Sequence, residues 1–328
     1  MNSLKKHTLL FISTLLFSSA LWGEPAEYNF LAKKEVQHFI DTLVKKYHFD
    51  RDEVTQVLKN AKYDQETLSR YQGKYKKGKT DGTWERYKAH VLDPLSLKKA
   101  QIFKETYYPT LLRAAKIYDV DLEYIVAFIG VESKFGEYTG NYHIIDSLAT
   151  LAFHKNRMQK FFKSELLHLF LLSREEKRDI DGMYGSFAGA MGCVQQVPSV
   201  QRKFAMDFNE DGIKDPWDLE DCIGIIASFM HRKGWKKGGV VAVPTNFKGT
   251  TFNTLKSSRK KKYRLSILKK YGIYPTQPFN ESKGYLLKVR DHDHDEVWIG
   301  GSNFRVLTRY NNSTAYGLGI HLIAESLK

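Results

Sequence analysis

Residues 125–136 read Ile-Val-Ala-Phe-Ile-Gly-Val-Glu-Ser-Lys-Phe-Gly, an apolar helix with one acid in its closing turn. Ile125, Ile129 and Glu132 fall at i, i+4 and i+7, so the carboxylate shares the stripe that faces the core. Gly136 is placed to end the helix, which leaves Glu132 near the partial negative charge of its C-terminus. Burial and the dipole both disfavour ionisation. A glutamate at roughly pKa 4.3 in water rises to about 6 in such a setting and can serve as a general acid near neutrality. The plainer alternative is a helix-terminal Glu132 paired with a lysine such as Lys134.

Further segments stand in a fixed order along the chain. Ile145-Asp146-Ser147-Leu148-Ala149-Thr150-Leu151 begins thirteen residues after Glu132. Gly185-Ser186-Phe187-Ala188-Gly189-Ala190-Met191-Gly192 is followed by Gln195 and Pro198-Ser199, and Arg309-Tyr310-Asn311-Asn312-Ser313-Thr314 stands near the C-terminus. In this order and at these separations they resemble the lytic murein transglycosylase B family, whose members cleave peptidoglycan glycan strands. The resemblance runs from about residue 30 to the end. It implies a mainly α (α+β) fold, with a lysozyme-like helical catalytic core, an N-terminal helical region and a small inserted β-containing subdomain.

Residues 1–23 read as a secretory signal. Lys5 and Lys6 form the basic region, Leu9 to Phe17 the apolar core, and Ser18-Ser19-Ala20 a small-residue cleavage site. The apolar run is too short for the roughly 20 residues that span a bilayer. No cysteine lies near the cleavage site, so a lipid-anchored N-terminus is not supported and the expected compartment is the periplasm. Removing this segment takes two lysines and no acid, which lowers the formal net charge from +14 to +12. The basic residues are scattered, apart from the run at Arg259-Lys260-Lys261-Lys262, and no nucleic-acid module is legible. An exported basic protein instead suits an anionic polymer such as peptidoglycan with its peptide carboxylates. Only Cys193 and Cys222 are present, and sequence separation leaves open whether they pair or whether Cys193 is a free thiol near the cleft.

Amphipathic spacing predicts helices over 35–46, 52–60 and 97–118, the last interrupted by Pro109, with an exposed Lys/Gly-rich loop over 72–82. Asp121 is a good N-cap for the Glu132 helix. Further helices fit 160–175, 198–208 and 218–233. After Gly238 the character changes: 240–243, 285–289, 297–299 and 304–307 are strand-like runs between turn residues, with a short helix over 265–271. A terminal helix over 316–327 follows. The organisation expected is a signal (1–23), an N-terminal helical region (24–118), the catalytic core (119–237), the β-containing subdomain (238–308) and a helix returning to the core (309–328). Asp291-His292-Asp293-His294-Asp295 reads as a solvated turn without a metal.

Glycoside cleavage usually calls for two carboxylates, and no second acid beside the Glu132 motif stands out as its partner. The resemblance accounts for that absence. It implies that one glutamate protonates the oxygen between N-acetylmuramic acid and N-acetylglucosamine, then takes a proton from the muramoyl C6 hydroxyl, giving a 1,6-anhydro product. Carried over position by position, it implies that Ser186 and Gln195 hydrogen-bond the sugar and that Met191 forms part of an apolar wall. Tyr310, Asn311, Tyr316 and Phe229 would line the same cleft, with Tyr87 opposite. For the tyrosines and Met191 the alternative is core packing, and for Ser186 a turn hydroxyl. Cys193-Val194 stands where the family more often shows Tyr-Gly, Gln196 replaces an aromatic, and Phe229 stands where tyrosine is common.

Asp207, Asn209 and Asp211 followed by Gly212 and Ile213 match the opening of an EF-hand calcium loop. A strict twelve-residue loop would close on Asp218; the family closes a longer one at the equivalent of Asp221. The calcium role implied is structural, and no organic cofactor is expected. Rival functions are a hydrolytic muramidase, which needs a second positioned carboxylate or a water-orienting group, and a non-enzymatic wall-binding protein.

Overall fold

Aspartates punctuate the chain. Asp50, Asp64, Asp93 and Asp218 each turn a side-chain oxygen onto an amide in the first turn of the helix that follows, and Ser313 does the same for the last helix. The structure, a computed structural model, describes residues 28–72, 83–290 and 295–328. The secretory segment, the loop beyond Gln72 and the run 291–294 with its two histidines lie outside the described residues.

The helices α1 (Lys34–Tyr47), α2 (Arg51–Asn60) and α3 (Gln65–Tyr71) precede α4 (Thr83–Val91), α5 (Pro94–Thr106) and α6 (Tyr108–Tyr118). Pro109 falls in the first turn of α6, where a missing N–H costs no helical bond. Next comes α7 (Leu122–Ser133), which carries Glu132 in its last turn. Asp121 occupies the N-cap position but makes no capping bond; its carboxylate accepts from the Trp235 indole at 2.7 Å and the Gly238 amide at 3.1 Å. A short ribbon of β1 (Tyr142–His143) and β2 (Tyr184–Gly185) brackets α8 (Ile144–Phe153) and α9 (Gln159–Glu175). The helix expected over 198–208 is shorter: α10 (Pro198–Phe204) ends where the chain enters the acidic loop, and Asp221 captures the Phe208 amide. Then follows α11 (Leu219–Arg232).

Beyond α11 lie β3 (Ala242–Phe247), β4 (Lys262–Arg264), α12 (Leu265–Lys270), β5 (Ile273–Pro275), β6 (Lys283–Arg290) and β7 (Asp295–Gly300). The strands form one antiparallel sheet in the order β4-β6-β7-β3-β5. The run 304–307, expected as a strand, is helical and belongs to α13 (Ser302–Tyr310). Three of its four residues are apolar, and so short a run does not separate strand from helix. Over the longer window, however, Asn303, Phe304, Leu307 and Thr308 are buried together at helical spacing, and Glu281 accepts the Ser302 amide at 2.6 Å in place of a local cap. The chain closes with α14 (Thr314–Ser326).

Two cores divide the helices out of chain order. Leu43, Val54 and Leu68 of α1–α3 pack in one core with Leu148, Phe162 and Leu166 of α8 and α9. Trp84, Phe103 and Leu111 of α4–α6 join Phe128, Ile226 and Ile320 in the other. The span 24–118, expected as a single N-terminal region, contributes to both. The sheet bridges to the second core: Tyr285, Leu287, Val289 and Trp298 face the helices, while Leu286, Val297 and Ile299 face a small core of the sheet's own.

Candidate active site

The turn after α7 fixes Glu132. Lys134, rather than Gly136, is the first left-handed residue, with φ 48°, and Phe135 and Gly136 follow at 65° and 88°. Ser133 holds this tight reversal, donating to the Ile129 carbonyl at 3.3 Å and accepting the Gly136 amide at 2.9 Å. Phe135 folds back on Gly130, where an added Cβ would lie 2.6 Å from its ring. Lys134 leaves Glu132 alone and sets its ammonium over the Tyr138 ring, 4.8 Å from the centroid. The carboxylate is instead the acceptor of the Tyr316 hydroxyl. Burial pushes the Glu132 carboxyl up to about 7, and the Tyr316 bond opposes that rise. No second carboxylate among the described residues contributes to this shift.

Three tyrosines surround it. Tyr316 reaches Glu132 from the start of α14, whose amide end Ser313 caps at 3.3 Å. Tyr310, at the end of α13, donates to the Val194 carbonyl and stands edge-on to Phe128 and Phe229, at 5.4 and 4.9 Å between ring centres. Burial and then the charge of Glu132 hold both hydroxyls well above the ordinary phenol range. Tyr87 comes from α4 on the far side; burial and Glu132 push it up to about 12. Gly319 makes room for its ring, since a Cβ there would lie 2.8 Å from Tyr87. A cavity of about 320 Å³ opens beside Tyr87, Val131, Lys134 and Tyr138, and another of about 280 Å³ beside Gln195, Phe229 and Tyr310. Two acids in the first cavity, Asp93 and Glu137, are engaged elsewhere: Asp93 caps α5, and Glu137 pairs with Lys99 at 2.6 Å.

The glycine-rich run forms the floor between the cores. Gly192, at φ 72°, could carry no side chain, because a Cβ would meet the Pro216 carbonyl at 1.9 Å. Ser186 is half-buried and its hydroxyl accepts the Ala188 and Ala190 amides at 3.3 and 3.1 Å, so it braces the turn while keeping its own proton to donate. Gln195 adopts a left-handed conformation and donates to the Thr139 and Gly192 carbonyls at 2.8 and 3.0 Å. Met191 departs from the expectation of a sugar-facing wall. It is fully buried in the core of α8 and α9, because the run turns inward there and pairs Met191 with Gln196 across two backbone bonds. Asn311 is exposed at the end of α13, and its carbonyl accepts the Ser313 amide at 2.8 Å.

In the acidic loop, Asp207 accepts the Asp211 and Gly212 amides at 3.1 and 2.8 Å, and Asp211 accepts the Ile213 amide at 2.8 Å. These bonds wind Asp207, Asn209 and Asp211 into one turn, with Gly212 at φ 90°. Asp218 caps α11, whereas fully buried Asp221 reaches back to the Phe208, Asn209 and Asp215 amides. Burial raises the Asp221 carboxyl above its ordinary value despite these bonds. Among the described residues no three His, Cys, Asp or Glu side chains converge as a metal cluster, so an ion in this loop would draw also on Asn209 and the Ile213 carbonyl. The all-oxygen donor set with a buried closing carboxylate fits a hard cation.

Cys193 and Cys222 are free thiols and fully buried, turned to the Trp217 and Pro216 carbonyls at 3.1 and 3.3 Å. Neither borders the cleft. Sequence reasoning missed Ser133, whose only signal was a hydroxyl three residues before Gly136.

The chain matches the family profile described as Transglycosylase SLT domain over residues 31–325. It is similar to the membrane-bound lytic murein transglycosylase B of Escherichia coli (strain K12), with 34% identity over 306 residues covering 91% of this chain and 84% of that protein. The solved structure of the Escherichia coli lytic transglycosylase SLT35 in complex with calcium superposes with a TM-score of 0.83 at 35% identity, covering 92% of this chain and 95% of that one. SltB3 from Pseudomonas aeruginosa in complex with NAG-anhNAM-pentapeptide gives a TM-score of 0.78 at 25% identity, covering 91% of this chain and 79% of that one.

Proposed function

The chain belongs to the SLT-domain family of lytic transglycosylases and is a lytic murein transglycosylase of lysozyme-like, mainly helical fold, and from that premise we propose that Glu132 alone carries both proton transfers of its reaction. Protonated Glu132 gives its proton to the glycosidic oxygen between N-acetylmuramic acid and N-acetylglucosamine. The C1–O4 bond breaks with its electron pair going to that oxygen. The carboxylate so formed takes the proton of the muramoyl C6 hydroxyl, whose oxygen bonds to C1. Glu132 ends protonated, no water enters, and the product carries a 1,6-anhydro ring. The observation that carries this reading is the carboxyl held at about 7 by burial. At that value it is a competent acid and, once ionised, a competent base.

Tyr316 orients the carboxyl through its hydroxyl. Ser186, Gln195 and Asn311 supply hydrogen bonds to the sugar, and Tyr310, Phe229 and Tyr87 supply the ring walls of the cleft. Calcium, when bound, neutralises the acidic loop; Asp207, Asn209, Asp211, the Ile213 carbonyl and Asp221 would hold it, clamping the segment between Gln195 and α11. A related protein has been solved in complex with calcium, which supports this assignment. With the export signal at 1–23, and with no helix among the described residues long and apolar enough to cross a membrane, we assign the mature enzyme to the periplasm.

Glu132→Gln keeps the volume but cannot cycle a proton. On purified sacculi it should lose about 10²–10⁴-fold in rate, and activity within about tenfold of wild type would overturn the assignment. Mass analysis of wild-type digests should give anhydro ends. Reducing ends, heavier by one water, as the main product would establish a hydrolytic muramidase instead.

A further inference from the structure

Basic residues are spread along the whole chain, but acids are not matched to them everywhere. From Lys248 to Arg290 stand twelve lysines and arginines and one acid, Glu281, a surplus of eleven where the entire chain has a surplus of fourteen. This stretch includes the run Arg259-Lys260-Lys261-Lys262, for which the reaction has no use. Phe252, Leu255, Leu265 and Leu268 pack with Leu286, Val297 and Ile299, so the segment 251–270 forms a layer over the face of the sheet turned away from the helices. Lys256, Lys260, Lys261, Lys269 and Lys270 are exposed on that layer. Lys248, also exposed, joins them, its amide donating to the Gly272 carbonyl just past α12 at 2.9 Å. None of these six has a carboxylate partner among the described residues. The ion pairs of the stretch lie elsewhere, Lys262 with Glu281 at 2.7 Å and Arg290 with Asp295 at 3.3 Å. Arg259 points back to the body and donates to Asn312 and Thr314 at 3.1 and 2.9 Å.

Within this layer lies a hollow of about 360 Å³, whose lining includes Thr254, Lys256, Ser257, Ser258, Lys261 and Tyr263 and no acid. The Ser257 hydroxyl accepts the Lys288 amide at 3.1 Å, and the Ser258 hydroxyl accepts the Lys260 and Lys261 amides at 3.1 and 2.9 Å. Each keeps its proton to donate, so the hollow offers hydroxyl donors and two ammonium groups. That donor set suits a phosphate group, whose charged oxygens accept. A single soluble anion would leave Lys248, Lys260, Lys269 and Lys270 unmatched, whereas a surface that repeats the anion engages them all. Phe247, exposed beside Lys248 with its ring centre 4.5 Å from that of Phe252, adds an aromatic side chain of the kind that settles between headgroups and acyl chains. We propose that the outer layer of the sheet, through Lys248, Lys256, Lys260, Lys261, Lys269 and Lys270, is a docking surface for an anionic phospholipid membrane, leaving the residues around Glu132 unengaged.

The test measures co-sedimentation of the whole enzyme with vesicles of mixed phosphatidylglycerol and phosphatidylcholine, against vesicles of phosphatidylcholine alone. The wild type should bind the anionic vesicles about tenfold more tightly or better, with an affinity that falls steeply as salt rises. Lys256→Gln/Lys260→Gln/Lys261→Gln and Lys248→Gln/Lys269→Gln/Lys270→Gln should each lose about tenfold in that binding, with Tm and turnover of soluble glycan strands unchanged. Lys256→Arg/Lys260→Arg/Lys261→Arg, which keeps the charge, should retain it. Phe247→Ala should weaken it about threefold and leave its salt dependence as it was. Equal binding of the wild type to both kinds of vesicle, or binding that neither glutamine variant alters, overturns the proposal. So does suppression by millimolar inorganic phosphate beyond that of chloride at equal ionic strength, which would make the hollow a site for a soluble anion. A loss on purified sacculi, measured in the Glu132→Gln background, that exceeds the loss on vesicles would assign the layer to the wall polymer and overturn it as well.

Discussion

Glu132 is half-buried and Asp221 fully buried, and the chain treats the two carboxyls in opposite ways. Glu132 has one donor, the Tyr316 hydroxyl, and burial prevails, so its carboxyl is pushed up to about 7. Asp221 has three backbone donors, Phe208, Asn209 and Asp215, at 2.6, 3.3 and 2.8 Å. A hydroxyl can face either protonation state of its partner, because it donates or accepts; amides can only donate and so demand a carboxylate. Glu132 is built to change its charge. Asp221 is built to keep it, and since burial still raises its carboxyl, a cation beside it removes a penalty the amides leave behind.

The contrast is broken most forcefully at Asp221. Asp221→Ala strands three amides and should cost about 3 kcal/mol or more by chemical denaturation. It should also abolish the rise in Tm that millimolar calcium gives the wild type over chelator; an equal calcium response in both proteins would move the ion elsewhere. Asp211→Ala should weaken the same response with less damage to the apo fold, since Asp211 is exposed. At Glu132 the sign reverses. Its folded pKa is raised, so the stability it contributes is full below its unfolded pKa and falls as pH rises through about 7. Glu132→Gln should therefore match the wild type near pH 4 and exceed it by about 1–3 kcal/mol near pH 8, as inactivating an ionisable buried site commonly does. A variant no more stable near pH 8 would mean that the carboxyl is effectively solvated. Tyr316→Phe has the smallest effect. Losing the bond that opposes the rise should move the alkaline fall of kcat/KM to higher pH and lower the rate roughly fivefold, about 1 kcal/mol. An unmoved pH profile would reduce the hydroxyl to packing.

Much of this arrangement is legible in the amino-acid sequence. The stripe of Ile125, Ile129 and Glu132 announces a buried acid because helical periodicity is local, and the runs of β6 and β7 read as strands for the same reason. What escapes depends on distant partners. Asp121 looks like a cap until Trp235 and Gly238 arrive to claim its oxygens. The short apolar run at 304–307 reads like a strand, yet the helix is decided by a wider window and by Glu281, far back in the chain. Met191 belongs to a motif that reads as cleft wall, but its side chain turns into the core of α8 and α9.

The strand β6 sends Tyr285, Leu287 and Val289 into the interior shared with α4 and α14, and Leu286 into the interior beneath the sheet. It is therefore a party wall. Neither interior can open without exposing a face of the same strand, so the insertion cannot breathe as an independent accessory. Amide exchange along β6 should follow that of α14, the helix that brings Tyr316 to Glu132. The insertion and the proton-transfer apparatus then melt as one cooperative unit, and a mutation deep in the sheet reaches the chemistry without touching it.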